Sequence, residues 1–252
     1  MTPDLPRLLA VALGALVAMA LPAAAADCRR IDHDGQGYVL CKVPADQEPA
    51  LRLFQDGPDG APLRNFANVR RTLGPDETLS FAMNAGMFHA DYRPVGLLVV
   101  DGEERSPIVT GASRDNFGML PNGVFCTGGD RPFQVIESRA FADTRPDCRL
   151  ATQSGPMLVI DGELHPRFLP DSDSRYIRNG VGVSPDGRTA WFAISSRPVT
   201  FHEFGRLFRD GLGVRDALYF DGSISRLYAP SVRRADFGRS MGPIIGLVEQ
   251  DG

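Results

Sequence analysis

The chain has 252 residues, of which 43% are hydrophobic and 23% charged, and its formal net charge is −4 at pH 7. That balance argues against broad affinity for nucleic acid or an anionic membrane surface. Lys42 is the only lysine, which argues against Schiff-base chemistry and a Walker-type phosphate loop.

Read from its start, the chain opens like an export signal. Arg7 precedes an apolar run over residues 8–21, Pro22 breaks it, and small residues follow at 23–26. The run is too short to cross a bilayer comfortably, and its flanks are those of a cleaved leader. Residues 1–26 are therefore expected to be a signal peptide and residues 27–252 a single domain. No later stretch is apolar enough to span a membrane, so a periplasmic or secreted location is expected. Four cysteines follow the leader: Cys28, Cys41, Cys126 and Cys148. In an exported chain an even number points to disulfides. Three connectivities are open, of which local pairing, Cys28 with Cys41 and Cys126 with Cys148, is the simplest. There is no CxxC and the four histidines are dispersed, so neither a metal site nor a cofactor is expected.

The remaining texture is short apolar runs punctuated by Gly, Pro and Asp, which favours strands with tight connections. Residues 37–43 and 51–54 predict an opening hairpin. Leu63, Phe66, Val69 and Leu73 lie at helical spacing. Residues 79–83 read as a strand running into Asn84. Hairpins are predicted around Asp101-Gly102, around residues 128–130 and around residues 184–187, and a strand over 157–160 ends at Asp161-Gly162. Thr200 with Glu203 forms a capping box ahead of an apolar stripe of Phe201, Phe204, Leu207 and Phe208, and Gly211 and Gly213 supply stops. A buried strand over 217–220 and a closing strand over 244–248 complete the reading. The fold class is α+β, a strand-rich single domain with a mixed twisted sheet and two or three helices.

The familiar nucleophile signatures G-x-S-x-G, H-E-x-x-H and G-x-G-x-x-G are missing. What remains is polar residues and glycines at strand ends. Asn84, Gly86, Phe88 and His89 follow the strand over 79–83, where an amide next to glycine can face a ligand or merely satisfy a turn. Ser154 and Gly155 stand between two apolar runs and can offer a hydroxyl and a free N–H to an anionic oxygen, or form an ordinary turn. Arg175, Arg178 and Asn179 precede the strand over 181–183. In an alternating strand the two arginines would face opposite ways. An arginine at a strand mouth suits bidentate phosphate binding, although single arginines are usually solvated. The sharpest feature is Asp221 directly after a buried strand, followed by Gly222, Ser223 and Ser225. A carboxylate so placed suits an acid, base or nucleophile, and the competing reading is an Asp-Gly turn. Glu203 is already explained by the capping box.

Four of these segments, in this order, resemble the phosphodiester glycosidase family: NAGMF at 84–88, QSGPMLV at 153–159, SRYIRNGVGVS at 174–184 and ALYFDGSIS at 217–225. The chain looks closest to the small bacterial branch. The resemblance runs from about Phe81 to Ile245 and implies hydrolysis of the bond between an anomeric carbon and a phosphate oxygen. It puts Asn84, Ser154, Arg178, Asn179 and Asp221 in the pocket-forming motifs. One departure stands out: the animal branch has a glycine-richer D-G-G-G-S where this chain has Asp221, Gly222, Ser223, Ile224 and Ser225. The expected substrate is a sugar phosphodiester or phosphoglycan, of the GlcNAc-1-phosphodiester type. Asp221 is expected to act as base or nucleophile, Arg178 to bind phosphate, and Asn84 and Ser154 to orient the substrate. Only one carboxylate is needed, because the leaving phosphate monoester has a second pKa of about 6 and departs with little protonation. The competing readings are a glycan- or cell-wall-binding protein using the same pocket, and a phosphodiesterase. The latter usually calls for a cluster of His and carboxylate metal ligands that the sequence lacks. The oligomeric state is unreadable.

Overall fold

The structure is a computed structural model that describes residues 26–250. The expected leader therefore lies outside the described residues, apart from Ala26. Strands dominate and form three sheets. The largest has, in spatial order, Asp27–His33, Gln36–Pro44, Thr189–Ser195, Asn179–Val183, Asp216–Asp221, Met157–Ile160 and Glu163–Leu164. The second has Arg234–Ala235, Leu227–Ala229, Glu77–Asn84, Ile244–Gln250 and Leu51–Phe54. The third has Glu103–Ser106, Leu98–Val100, Leu150–Ser154, Gly123–Thr127 and Phe133–Glu137. An α+β class is what the sequence leads one to expect. The single mixed sheet is instead three sheets with antiparallel ladders. The tight turns explain this, because a parallel pair needs a long crossover.

Several of those turns follow directly from sequence. Asp101-Gly102 and Asp161-Gly162 both take positive φ at each residue, +50° and +80° in the first and +50° and +86° in the second. This is the left-handed geometry that matches hairpin twist. The opening hairpin forms differently from expectation. Asp34-Gly35 turns Gln36–Pro44 back onto Asp27–His33, whereas Ala45–Ala50 is a 3₁₀ helix that carries the chain across to the second sheet.

Alternation along the strands separates an inner from an outer face in each sheet. Val39, Cys41, Val181, Phe192, Leu218 and Phe220 of the first sheet meet Phe81, Met83, Ile245 and Leu247 of the second and Phe125, Phe133 and Leu150 of the third in one shared core. Each outer face is covered by one helix. Phe204, Leu207 and Phe208, on and just beyond the helix Phe201–Arg206, pack on Tyr38, Leu40, Ala217 and Tyr219. Phe66 and Val69 of the helix Phe66–Thr72 pack on Leu79, Ala82 and Ile244. Phe141 of the helix Ser138–Thr144 packs on Val99, Val124 and Ala151. The Thr200–Glu203 capping box forms as read. No helix among the described residues is long and apolar enough to cross a membrane.

Both disulfides take the local pairing. Cys28 and Cys41 are directly opposite in their ladder, and Cys126–Cys148 closes a loop of sequence separation 22. By loop entropy the second bond is worth about 3 kcal/mol. Replacing Cys126 and Cys148 by Ala is therefore expected to lower Tm by roughly 6–12 °C in a thermal melt. A shift under about 2 °C would show that the sheet alone holds this loop.

Candidate active site

The ends of four strands, drawn from all three sheets, converge: Asn84 from Glu77–Asn84, Ser154 from Leu150–Ser154, Asn179 from Asn179–Val183 and Asp221 from Asp216–Asp221. Asn179 lies opposite Asp221 in the ladder of the largest sheet. A reciprocal amide clasp then ties that sheet to the second one. Asn84 Nδ2 donates to Asn179 Oδ1 at 3.0 Å, and Asn179 Nδ2 donates to the Asn84 carbonyl at 2.9 Å. The Arg226 backbone N–H donates to Asn84 Oδ1 at 2.9 Å. The Ser225 hydroxyl is shared between Asn179 Oδ1, at 3.1 Å, and the Asp221 carbonyl. Asn84 and Asn179 are fully buried, and unpaired amides would be costly there. The clasp thus accounts for both.

Asp221 is the group this framework presents. It lines a cleft of about 470 Å³ together with Met87, Phe88, Asp115, Asn116, Phe117, Ser223, Ile224 and Arg239. The backbone N–H groups of Ser223 (2.7 Å) and Ile224 (3.4 Å) donate to its Oδ1 and fix its orientation. Burial pushes its pKa above the ordinary carboxylate value, and those N–H groups only partly oppose that shift. Asp115 sits in the same cleft in the opposite condition. Hydrogen bonds from the Ser113 hydroxyl (2.7 Å) and the Gly118 N–H (3.0 Å) hold its pKa down. Gly222 is required by a close approach, since a methyl there would stand 2.0 Å from Tyr219 Oη. The phenol is therefore packed against the backbone that follows Asp221. Burial raises the Tyr219 pKa, and the nearby Arg178 charge partly offsets the rise.

Arg178 is only 1% exposed and does not line the cleft. Its Nε donates to the Val199 carbonyl at 2.9 Å, Nη2 to the Ser174 carbonyl at 3.0 Å and Nη1 to Tyr219 Oη at 3.3 Å, while its guanidinium stacks 3.6 Å from the Phe201 ring centroid. Arg175 forks onto Glu203 with two hydrogen bonds of 2.9 Å. Ser154 is buried and donates to the Phe220 carbonyl at 2.7 Å. Gly155 is tucked against Asn122 and the Phe117 carbonyl, and Gly86 lies beneath Thr152. His89 is exposed on a turn closed by its N–H to the Arg93 carbonyl. Of the sequence candidates, then, Asp221, Ser223 and Phe88 reach the cleft. Asn84, Asn179, Ser154, Gly155, Gly86, Gly222 and Ser225 build the frame behind it, Arg175 is paired with Glu203, and His89 is exposed outside the cleft lining. Sequence reasoning missed Asp115, Asn116, Phe117 and Arg239, which lie outside the strands. The polar run at 113–116 was the only signal for the first of them.

The comparisons agree with this architecture. Among solved structures, the catalytic domain of zebrafish N-acetylglucosamine-1-phosphodiester alpha-N-acetylglucosaminidase, auto-inhibited by its pro-peptide, superposes with a TM-score of 0.61 over 92% of this chain and 84% of that one. At 13% identity that likeness speaks for the fold. Among curated proteins, the uncharacterized protein YigE of Escherichia coli (strain K12) is 35% identical over 182 residues, 72% of this chain and 70% of that protein. Residues 77–247, which contain every strand end of the site, match the model of the phosphodiester glycosidase family, and the chain belongs to that family.

Proposed function

We propose that the protein is an exported hydrolase that cleaves the bond between the anomeric carbon of a sugar and a phosphodiester, with Asp221 as base or nucleophile. The observation that carries this reading is a buried, N–H-oriented carboxylate of raised pKa lining a cleft, in a chain of the phosphodiester glycosidase family. With Asp221 as base, water's oxygen bonds to the anomeric carbon and water's proton passes to the carboxylate. The C–O bond to phosphate breaks, and its electron pair leaves on the phosphate monoester. With Asp221 as nucleophile, a glycosyl ester forms first and water then hydrolyses it. Either way the phosphate leaves largely unprotonated, its second pKa being about 6, so no second carboxylate has to donate a proton. Arg178 contributes through Tyr219, which it holds beneath Gly222. Asn84, Asn179 and Ser225 orient the Asp221 loop. The two disulfides support export to an oxidising compartment.

The test is turnover of a GlcNAc-1-phosphodiester in heavy-oxygen water. The label is expected in the free sugar. Label in the phosphate would identify a phosphodiesterase, and binding without product would return the glycan-binding alternative. The pH profile offers a second check. Asp221 must be ionised to act, so kcat/KM is expected to fall as pH drops through a pKa above the ordinary carboxylate value. An acid limb at or below that ordinary value would speak against Asp221.

A further inference from the structure

A phosphodiester is an anion, and the cleft that would receive it is lined by two carboxylates, Asp221 and Asp115. Asp115 is exposed, and its hydrogen bonds keep it ionised. An approaching phosphate is therefore repelled unless a cation stands nearby. Arg178 cannot fill that place directly, since it is buried behind Tyr219 and gives hydrogen bonds to three neutral acceptors.

The one cationic side chain lining the cleft among the described residues is Arg239. No carboxylate lies within ion-pair distance of it among the described residues. Behind it stands Arg226, whose backbone N–H is anchored on Asn84. Gly238, at φ +123°, brings the turn down onto this side chain: a methyl there would lie 2.8 Å from Arg226 Nη2 and 3.3 Å from its Cζ. The carboxylate whose charge acts on Arg226, Asp236, is already taken by Arg234 at 3.0 and 3.1 Å and by the Leu227 N–H at 2.9 Å. Burial lowers the pKa of Arg226; Asp236 opposes that shift and the like charge of Arg239 adds to it. Arg226 and Arg239 thus lie close enough to repel one another, while the carboxylate beside Arg226 is committed to Arg234. A bound anion relieves that repulsion, and guanidinium forks match phosphate oxygens.

We propose that Arg239, backed by Arg226, is the phosphate-holding site of the cleft. This rests on the hydrolase reading for its substrate class but not for its geometry. The probe for the geometry is inorganic phosphate, titrated calorimetrically at low salt into wild type, Arg239→Ala, Arg239→Lys, Arg226→Ala and, as control, Arg71→Ala at the exposed end of the helix Phe66–Thr72. Arg239→Ala is expected to weaken phosphate binding at least about tenfold, Arg239→Lys and Arg226→Ala less, and Arg71→Ala not measurably. Kinetics separate the two claims. Arg239→Ala is expected to lower kcat/KM for a GlcNAc-1-phosphodiester by about 100-fold and to leave a neutral nitrophenyl glycoside within about threefold. If wild type turns over neither substrate, the hydrolase reading fails while the titration still decides the anion site. Wild type that binds no phosphate, or Arg239→Ala that binds it as tightly as wild type, overturns the proposal.

Discussion

Asp221→Asn is expected to lower kcat about 10³-fold while leaving Tm unchanged or raised. The activity side follows from loss of the only ionisable oxygen pair at the end of the strand Asp216–Asp221. The stability side follows from linkage. Burial raises the Asp221 pKa in the folded protein, so the folded state holds that proton more tightly than the unfolded chain does. The associated stability is present below the ordinary carboxylate pKa and is lost as pH rises through the raised one. At neutral pH the charged carboxylate therefore opposes folding, and an amide relieves the opposition. Asn Oδ1 can still accept from Ser223 and Ile224, so the turn need not change. Loss of activity at constant or raised Tm marks a residue kept for chemistry at a cost in stability. Turnover within about threefold of wild type, with the fold intact, would remove Asp221 from the mechanism.

Arg178→Ala should behave in the opposite way, with a large loss of stability. The side chain supplies donors to Val199, Ser174 and Tyr219 and a stacked plane against Phe201. Its removal leaves two buried acceptors, the Val199 carbonyl and Tyr219 Oη, short of a partner, frees the solvent-accessible Ser174 carbonyl, and opens a cavity. Losses of about 1–3 kcal/mol for each orphaned group are set against relief from burying a cation, which itself lowers the arginine's pKa. A net cost of about 4 kcal/mol corresponds to a Tm lower by roughly 8–16 °C. Activity measured well below that Tm is expected to fall too, because Tyr219 loses its anchor under Gly222. Arg178→Lys should recover little, since one ammonium cannot reach acceptors arranged around a planar fork. A variant with normal Tm but a raised KM for the phosphodiester would instead make Arg178 a direct phosphate ligand.

The contrast between these two residues shows how far the sequence could be read. Both precede or follow a strand beside polar neighbours, but local pattern marked Asp221 as the sharper feature and left Arg178 between a phosphate ligand and a solvated arginine. Asp221 could be placed because a carboxylate ending an apolar strand has few places to go but the sheet's mouth. Arg178 could not, since its partners lie 4, 21 and 41 positions away and no periodicity reports on such distances. Arg175 is captured by Glu203, 28 residues on, for the same reason. The capping box and the Asp-Gly hairpins were legible because their physics is confined to a few neighbouring residues. The division into three sheets was not, because strand pairing such as Leu51–Phe54 with Ile244–Gln250 depends on sequence-distant packing. The cleft lining at Asp115 and Arg239 was missed because these positions carry no repeating pattern at all.

The amide clasp between Asn84 and Asn179 also divides the molecule into what can drift and what cannot. Any change at either amide disturbs the seam between two sheets and, through Ser225 and Arg226, the loop after Asp221. Met87, Asn116 and Ile224 face the same cleft without belonging to that seam. Ile224, where the animal branch carries glycine, already shows how such a position is exchanged. On the hydrolase reading, substitutions at these three rim positions are expected to alter substrate choice while the framework behind Asp221 stays intact, and a combinatorial library restricted to them separates recognition from stability on one scaffold.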